Sequence, residues 1–221
     1  MLRSLLSAAM NLPARHPRLL PMLLATGFAC LLYAGRVWMS GSTKFSFLLW
    51  NLFLAWIPWL ISAWLVRRPR PLLLLVPALA AWLLFFPNAP YILTDLVHFR
   101  KYNRVPQWYD LSLILAFAWA GLLAGLNSLE HIHGLLRSRW GSRPAWLAAA
   151  VLLLLAAYGV YLGRYGRRNS WEVLTEPESL LGEAAAPLLD PQTHLSALGF
   201  SVVFGLLLFT LYAAWHRREP A

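Results

Sequence analysis

Six long apolar runs, at roughly 19–39, 45–66, 71–93, 109–129, 145–162 and 192–215, leave this chain almost no way to fold except across a lipid bilayer. Each is long enough to cross a hydrocarbon layer of about 30 Å as a helix. Hydrocarbon offers backbone N–H and C=O groups no water, so each run must satisfy them internally, which a helix does. Of the 221 residues, 59% are hydrophobic and 13% charged, and the charges gather between the runs. The expected fold class is therefore all-α: a polytopic membrane helix bundle of about six transmembrane helices. Residues 1–18 read as an N-terminal cytoplasmic or interfacial segment. Residues 19–217 form a single transmembrane helical domain with outer loops 94–108 and 163–191, and 218–221 form a C-terminal tail. The longest connection is too short to bury a core of its own.

In a soluble protein the net charge of +10 would point to nucleic acid. Here the basic residues flank the runs, where they set topology, so nucleic acid is discounted and membrane lipids are the expected partners; the sequence names no protein partner. Placing the N-terminus inside puts 11 of the 19 Lys and Arg residues on the cytoplasmic side and seven of the nine acids outside. That bias selects an N-in, C-in topology. The single cysteine, Cys30, lies within the first run and excludes an intrachain disulfide.

The third run contains the most unusual segment, Phe85-Phe86-Pro87-Asn88-Ala89-Pro90-Tyr91-Ile92-Leu93-Thr94-Asp95-Leu96-Val97-His98. Only sixteen residues precede Pro87, about 24 Å of helix, so the third helix is broken near Pro87–Pro90 within the outer leaflet. Each proline pushes the residue before it, Phe86 or Ala89, away from helical angles, and the Asn88 amide is free to satisfy the broken backbone. Thr94 is expected to cap a short helix that presents Asp95 and His98, three residues apart, on one face. Asn51 lies about 9 Å below the outer end of the second run, level with the break, and reads as an interhelical hydrogen-bonding amide.

Chain parity brings the end of span three, the start of span four, the end of span five and the start of span six to one side. Span four opens Gln107-Trp108-Tyr109-Asp110, with the acid at a helix N-terminus. Span five leaves as Tyr161-Leu162-Gly163-Arg164-Tyr165-Gly166-Arg167-Arg168-Asn169-Ser170-Trp171-Glu172. Charges at membrane depth need partners, so Asp95 or Asp110 is expected to pair with Arg164, Arg167 or Arg168. Arg164 and Arg168 are also spaced to face one anionic group, or to reach lipid phosphates as an ordinary border. Asp95 and His98 are the candidate catalytic pair. Asn88, Tyr91, Asp110, Arg164, Arg168, Asn169, Trp171 and Glu172 are the candidate ligand-binding residues. No cofactor is required by the sequence; a divalent ion held by Asp95, His98 and Asp110 is the alternative. Glu130, His131 and His133 lie at the opposite side and read as a solvated inner loop.

The segments Phe86-Pro-Asn-Ala-Pro-Tyr-Ile-Leu-Thr-Asp-Leu-Val-His98, Trp108-Tyr-Asp110, Tyr161-Leu-Gly-Arg164 and Arg168-Asn-Ser-Trp171 resemble the bacterial membrane proteins catalogued as domain of unknown function 1361, from about residue 45 to 210. That family's motif tends to continue from Trp171 with aspartate, where this chain has Glu172. The resemblance implies a multi-pass protein of the bacterial inner membrane and supplies no activity. The expected function is accordingly a polar, ion-paired site at the outer-leaflet ends of helices 3–6 that binds an anionic ligand, free or lipid-linked. The alternatives are a metal-dependent hydrolase or transferase using Asp95 and His98, a structural or partner subunit, and a small-solute transporter. No Gly-x-Ser-x-Gly elbow, His-Glu-x-x-His pair, phosphate-binding glycine loop or paired-cysteine framework is present.

Overall fold

The computed structural model describes residues 18–68, 70–99, 105–166 and 195–216, and singly Thr175, Glu178, Gly182 and Ala186, each helical. The described residues form an all-α bundle: α1 (Leu19–Ser40), α2 (Ser46–Val66), α3 (Leu72–Phe85), the single turn α4 (Asn88–Tyr91), a 3₁₀ helix (Ile92–His98), α5 (Gln107–Trp140), α6 (Ser142–Tyr165) and α7 (Leu195–His216). Among the described residues six stretches are long and apolar enough to cross a membrane, with Leu72–His98 counting as one. Residues 1–17 and 217–221 lie outside the described residues, as does most of the expected outer loop 163–191.

α5 is the central post. In its apolar core stretch 78% of residues are buried inside the protein, against 17–44% in the other five spans. Its sequence explains why: Ala116, Ala118, Ala120, Gly121, Ala124 and Gly125 keep its surface low, so neighbouring helices approach closely. α1, α2, α6 and the broken end of the third span pack around it, α3 lies on α2, and α7 lies chiefly on α6. Large outward side chains such as Leu73, Trp38 and Val203 are exposed, as residues facing lipid are.

At 34 residues α5 rises about 51 Å, well beyond the hydrocarbon layer. The sequence reading ended this span near residue 129 and placed Glu130, His131 and His133 in a solvated loop; they belong to the helix instead. Leu129 and Ile132 are buried and Leu135 and Leu136 pack against the same core, so the apolar stripe runs on under the polar residues. The helix stops at Gly141, whose φ of 85° a side chain would resist.

The break also differs from expectation. Phe86 and Pro87 keep right-handed helical angles, and Asn88–Tyr91 form a helical turn that includes Ala89. The prolines remove N–H donors without unwinding the chain. The Ala89 N–H turns to the Phe86 carbonyl, and the Asn88 side chain donates at 2.9 Å to the Phe85 carbonyl that Ala89 would otherwise serve, as its position in the sequence implied. Thr94 caps nothing: it lies inside the 3₁₀ helix, and its hydroxyl donates back to the Tyr91 carbonyl at 2.7 Å.

Glycines in two helices seat the broken segment. A Cβ on Gly121 of α5 would stand 2.7 Å from Ile92 and 3.0 Å from the Ala89 carbonyl oxygen. One on Gly125 would meet Ala89 at 2.8 Å, and one on Gly159 of α6 would meet the Pro87 ring at 2.6 Å. The short α4 turn thus lies against α5 and α6 backbone, which fixes where the chain enters the 3₁₀ helix.

Candidate functional site

The bundle has two polar ends, named here for Asp95 and Glu130. At the first, the 3₁₀ helix turns Asp95 inward to 1% exposure. An ionised carboxylate buried to that extent needs partners on several sides. Asn51 of α2 donates its amide to Oδ2 at 2.8 Å. Arg164 of α6 donates to Oδ1, while its Nε donates to Thr94 Oγ1 at 2.9 Å and its guanidinium lies 4.3 Å over the Tyr91 ring. One carboxylate therefore ties together the second, third and fifth spans.

His98 stands three residues on, its side chain 46% exposed. Nδ1 is 3.7 Å from Asp95 Oδ1, beyond hydrogen-bond range, and the ring rests 5.1 Å from that of Phe47 in α2. The exposed Leu96 and Val97 flank it.

Asp110 forms a second, separate pair. It is the fourth residue of α5, 1% exposed, and accepts from Arg36 Nε at 2.8 Å. Arg36, 2% exposed near the end of α1, also donates to the Ser42 carbonyl at 3.3 Å and lies 4.4 Å over the Phe45 ring. Tyr109 donates to the Leu32 carbonyl at 3.0 Å, with its hydroxyl against Gly35. Of the two acids expected to pair with the end of span five, Asp95 does so through Arg164, whereas Asp110 takes Arg36.

Among the predicted residues, Asp95, Arg164 and Tyr91 come together with His98 at their edge. Asn88 serves the helix break. Arg168, Asn169, Trp171 and Glu172 lie outside the described residues. Sequence reasoning missed Arg36 and the Thr94 contact to Arg164. Arg36 carried a signal: a charge four residues inside an apolar run needs a buried counter-charge.

The metal alternative fits this donor set poorly. Both Asp95 oxygens are engaged by nitrogen donors, Asp110 is held by Arg36, and among the described residues no three of His, Cys, Asp and Glu gather as a ligand set.

At the Glu130 end, Glu130 Oε1 is 2.8 Å from His216 Nδ1 of α7, and its Oε2 is 3.9 Å from Arg18. His131 Nδ1 is 3.0 Å from Ser62 Oγ of α2, and His133 Nδ1 is 2.6 Å from the Tyr212 hydroxyl of α7. This end is more polar than the sequence reading allowed.

A family model described as "Protein of unknown function (DUF1361)" matches residues 50–211, covering the second span through most of the sixth. No curated protein and no solved structure matches the chain.

Proposed function

Because the chain belongs to the DUF1361 family of proteins of unknown function, whose description carries no activity, we propose a function from the Asp95 end itself: the binding of an anionic ligand, free or lipid-linked, at the outer face of a bacterial inner membrane. One observation carries the reading. Both buried acids at this end are already neutralised inside the protein, Asp95 by Arg164 and Asp110 by Arg36, while the His98 imidazole stands open beside them. Its Nδ1 is turned toward Asp95, 3.7 Å away, so Nε2 is the ring nitrogen left to meet a ligand. The sequence continues through Arg100, Lys101 and Arg104, basic residues that no acid between Leu96 and Gln107 offsets. Arg164 takes a holding role in this reading, since its charge is spent on Asp95. Arg168, Asn169, Trp171 and Glu172 follow it in sequence and remain proposed ligand contacts.

Native mass spectrometry of the detergent-solubilised protein with phosphatidylglycerol, phosphatidylcholine or inorganic phosphate tests this. Preferential retention of an anionic species, weakened about tenfold in His98→Ala, is expected from the loss of one charge-assisted hydrogen bond. Equal retention of the neutral lipid, unaffected by that substitution, refutes it.

The nearness of the two side chains, 3.7 Å in this structure, favours a second reading, in which Asp95 orients His98 as a general base once a bound ligand draws them into hydrogen-bond contact. Hydrolysis of a phosphate monoester by the reconstituted protein, lost in His98→Ala, would separate catalysis from binding.

A further inference from the structure

We propose that the ligand of the Asp95 end is an anionic phospholipid of the surrounding leaflet, taken sideways from the bilayer with its phosphate on His98 and its upper acyl chain along Phe47, Trp50 and Phe53 of α2. This assignment rests on the anion-binding reading of that end and selects the lipid-linked source over the free one. The surroundings of the imidazole carry the choice. Asp95 occupies the Nδ1 side, 3.7 Å away, and the Phe47 ring lies 5.1 Å from the imidazole. Leu96 and Val97, the two residues before His98, are 37% and 62% exposed. A ring bordered by a phenyl group and two exposed aliphatic side chains suits an amphiphile. It penalises a hydrated ion, which gives up water to approach across apolar surface.

α2 continues that surface into the membrane. Phe47, Trp50 and Asn51 follow one another at helical spacing on one face, and Asn51 fixes the direction of that face by its hydrogen bond to Asp95 at 2.8 Å. The Trp50 and Phe53 rings meet with centroids 5.4 Å apart and are 52% and 55% exposed. Phe47 to Phe53 covers about 9 Å of helical rise, enough to lead a ligand from the headgroup layer into the hydrocarbon.

Magnitudes favour the same source. Arg164 and Arg36 spend their charge on Asp95 and Asp110. One hydrogen bond from an imidazole to an anion strengthens binding about ten- to a hundredfold, less than a free ion needs to offset the translational freedom it loses. A phospholipid is already confined to the leaflet at the depth of His98, and its high local concentration makes the same bond sufficient. Among lipids, an anionic headgroup gains over a choline one, whose ammonium neutralises the phosphate that the ring would meet.

Photolabelling of the full-length protein in mixed phosphatidylglycerol/phosphatidylcholine vesicles tests this, with a diazirine at the top of the acyl chain of one lipid or the other and the labelled peptides mapped by mass spectrometry. Labelling of residues 47–53 by the phosphatidylglycerol probe, normalised to the exposed Val202–Leu207 stretch of α7, should exceed that by the phosphatidylcholine probe about fivefold. The excess should vanish in His98→Ala and withstand millimolar glycerol phosphate, the headgroup without its chains. Equal labelling by the two probes marks ordinary lipid contact and overturns the proposal. An excess that glycerol phosphate abolishes overturns it too, but leaves an anion site whose ligand is free. An excess that persists in His98→Ala refutes the anion site at His98 and the proposal with it. If that variant fails to fold, the probe comparison and the glycerol phosphate competition in wild type decide.

Discussion

Arg164 closes on Asp95 across 69 residues of sequence, and the same guanidinium also holds Thr94 and covers Tyr91, so one α6 side chain grips successive turns of the broken third span. The pair is 13% and 1% exposed. Removing one member strands a charge in a setting that offers it no water. Arg164→Met should therefore destabilise the protein by about 3–5 kcal/mol, the usual result of breaking a buried pair. Asp95→Asn/Arg164→Met should recover part of the loss. Thermal unfolding in detergent measures both, and a double variant no more stable than the single one would contradict the pairing.

Asn51 contributes a neutral donor to the charged oxygen that Arg164 leaves free. Asn51→Leu should cost about 1.5–3 kcal/mol, the range for a hydrogen bond to a charged group. In Asp95→Asn the same substitution should cost less. A double-mutant cycle reads this coupling, and additive effects would show that the amide does not act on the carboxylate.

The Arg36–Asp110 pair joins α1 to α5, with side chains 3% and 2% exposed. Arg36→Gln should expose the C-terminal end of α1 to faster hydrogen exchange near Ser40 while sparing α6. Arg164→Met should do the reverse. Identical exchange patterns in the two variants would mean that the pairs act as one network rather than two.

Gly159 and Gly27 offer a contrast at one residue type. A methyl on Gly159 meets the rigid Pro87 ring at 2.6 Å, whereas one on Gly27 meets nothing within 4 Å. Gly159→Ala should destabilise by about 1–3 kcal/mol through overpacking. Gly27→Ala should be neutral or stabilising by up to about 1 kcal/mol, since alanine favours helix. Equal Tm shifts would rule out the seating of the break against α6.

The interruption of the third span near Pro87, the Asn88 donor, the interhelical hydrogen bond of Asn51 and the need of Asp95 for a cation were all legible, because each depends on local chemistry or on counting residues along a helix. The Glu130 cluster was misjudged for the same reason: a run of polar residues reads as a loop until the apolar stripe beneath it, Leu129, Ile132 and Leu136, finds a neighbour to pack on. Asp110 shows the limit most clearly. Its burial demanded an arginine, but Arg36 and Arg164 both reach the same end of the bundle.

By itself the sequence determined that this is a helical membrane protein with six spans, a weakened third span and a polar end at the break, because hydrocarbon dictates helix length and exacts a partner for every buried charge. Only the tertiary structure decided which partner each charge received. That choice depends on how the helices rotate and how closely they approach, which glycines such as Gly121 and Gly159 allow only where a neighbouring chain fills the space they leave.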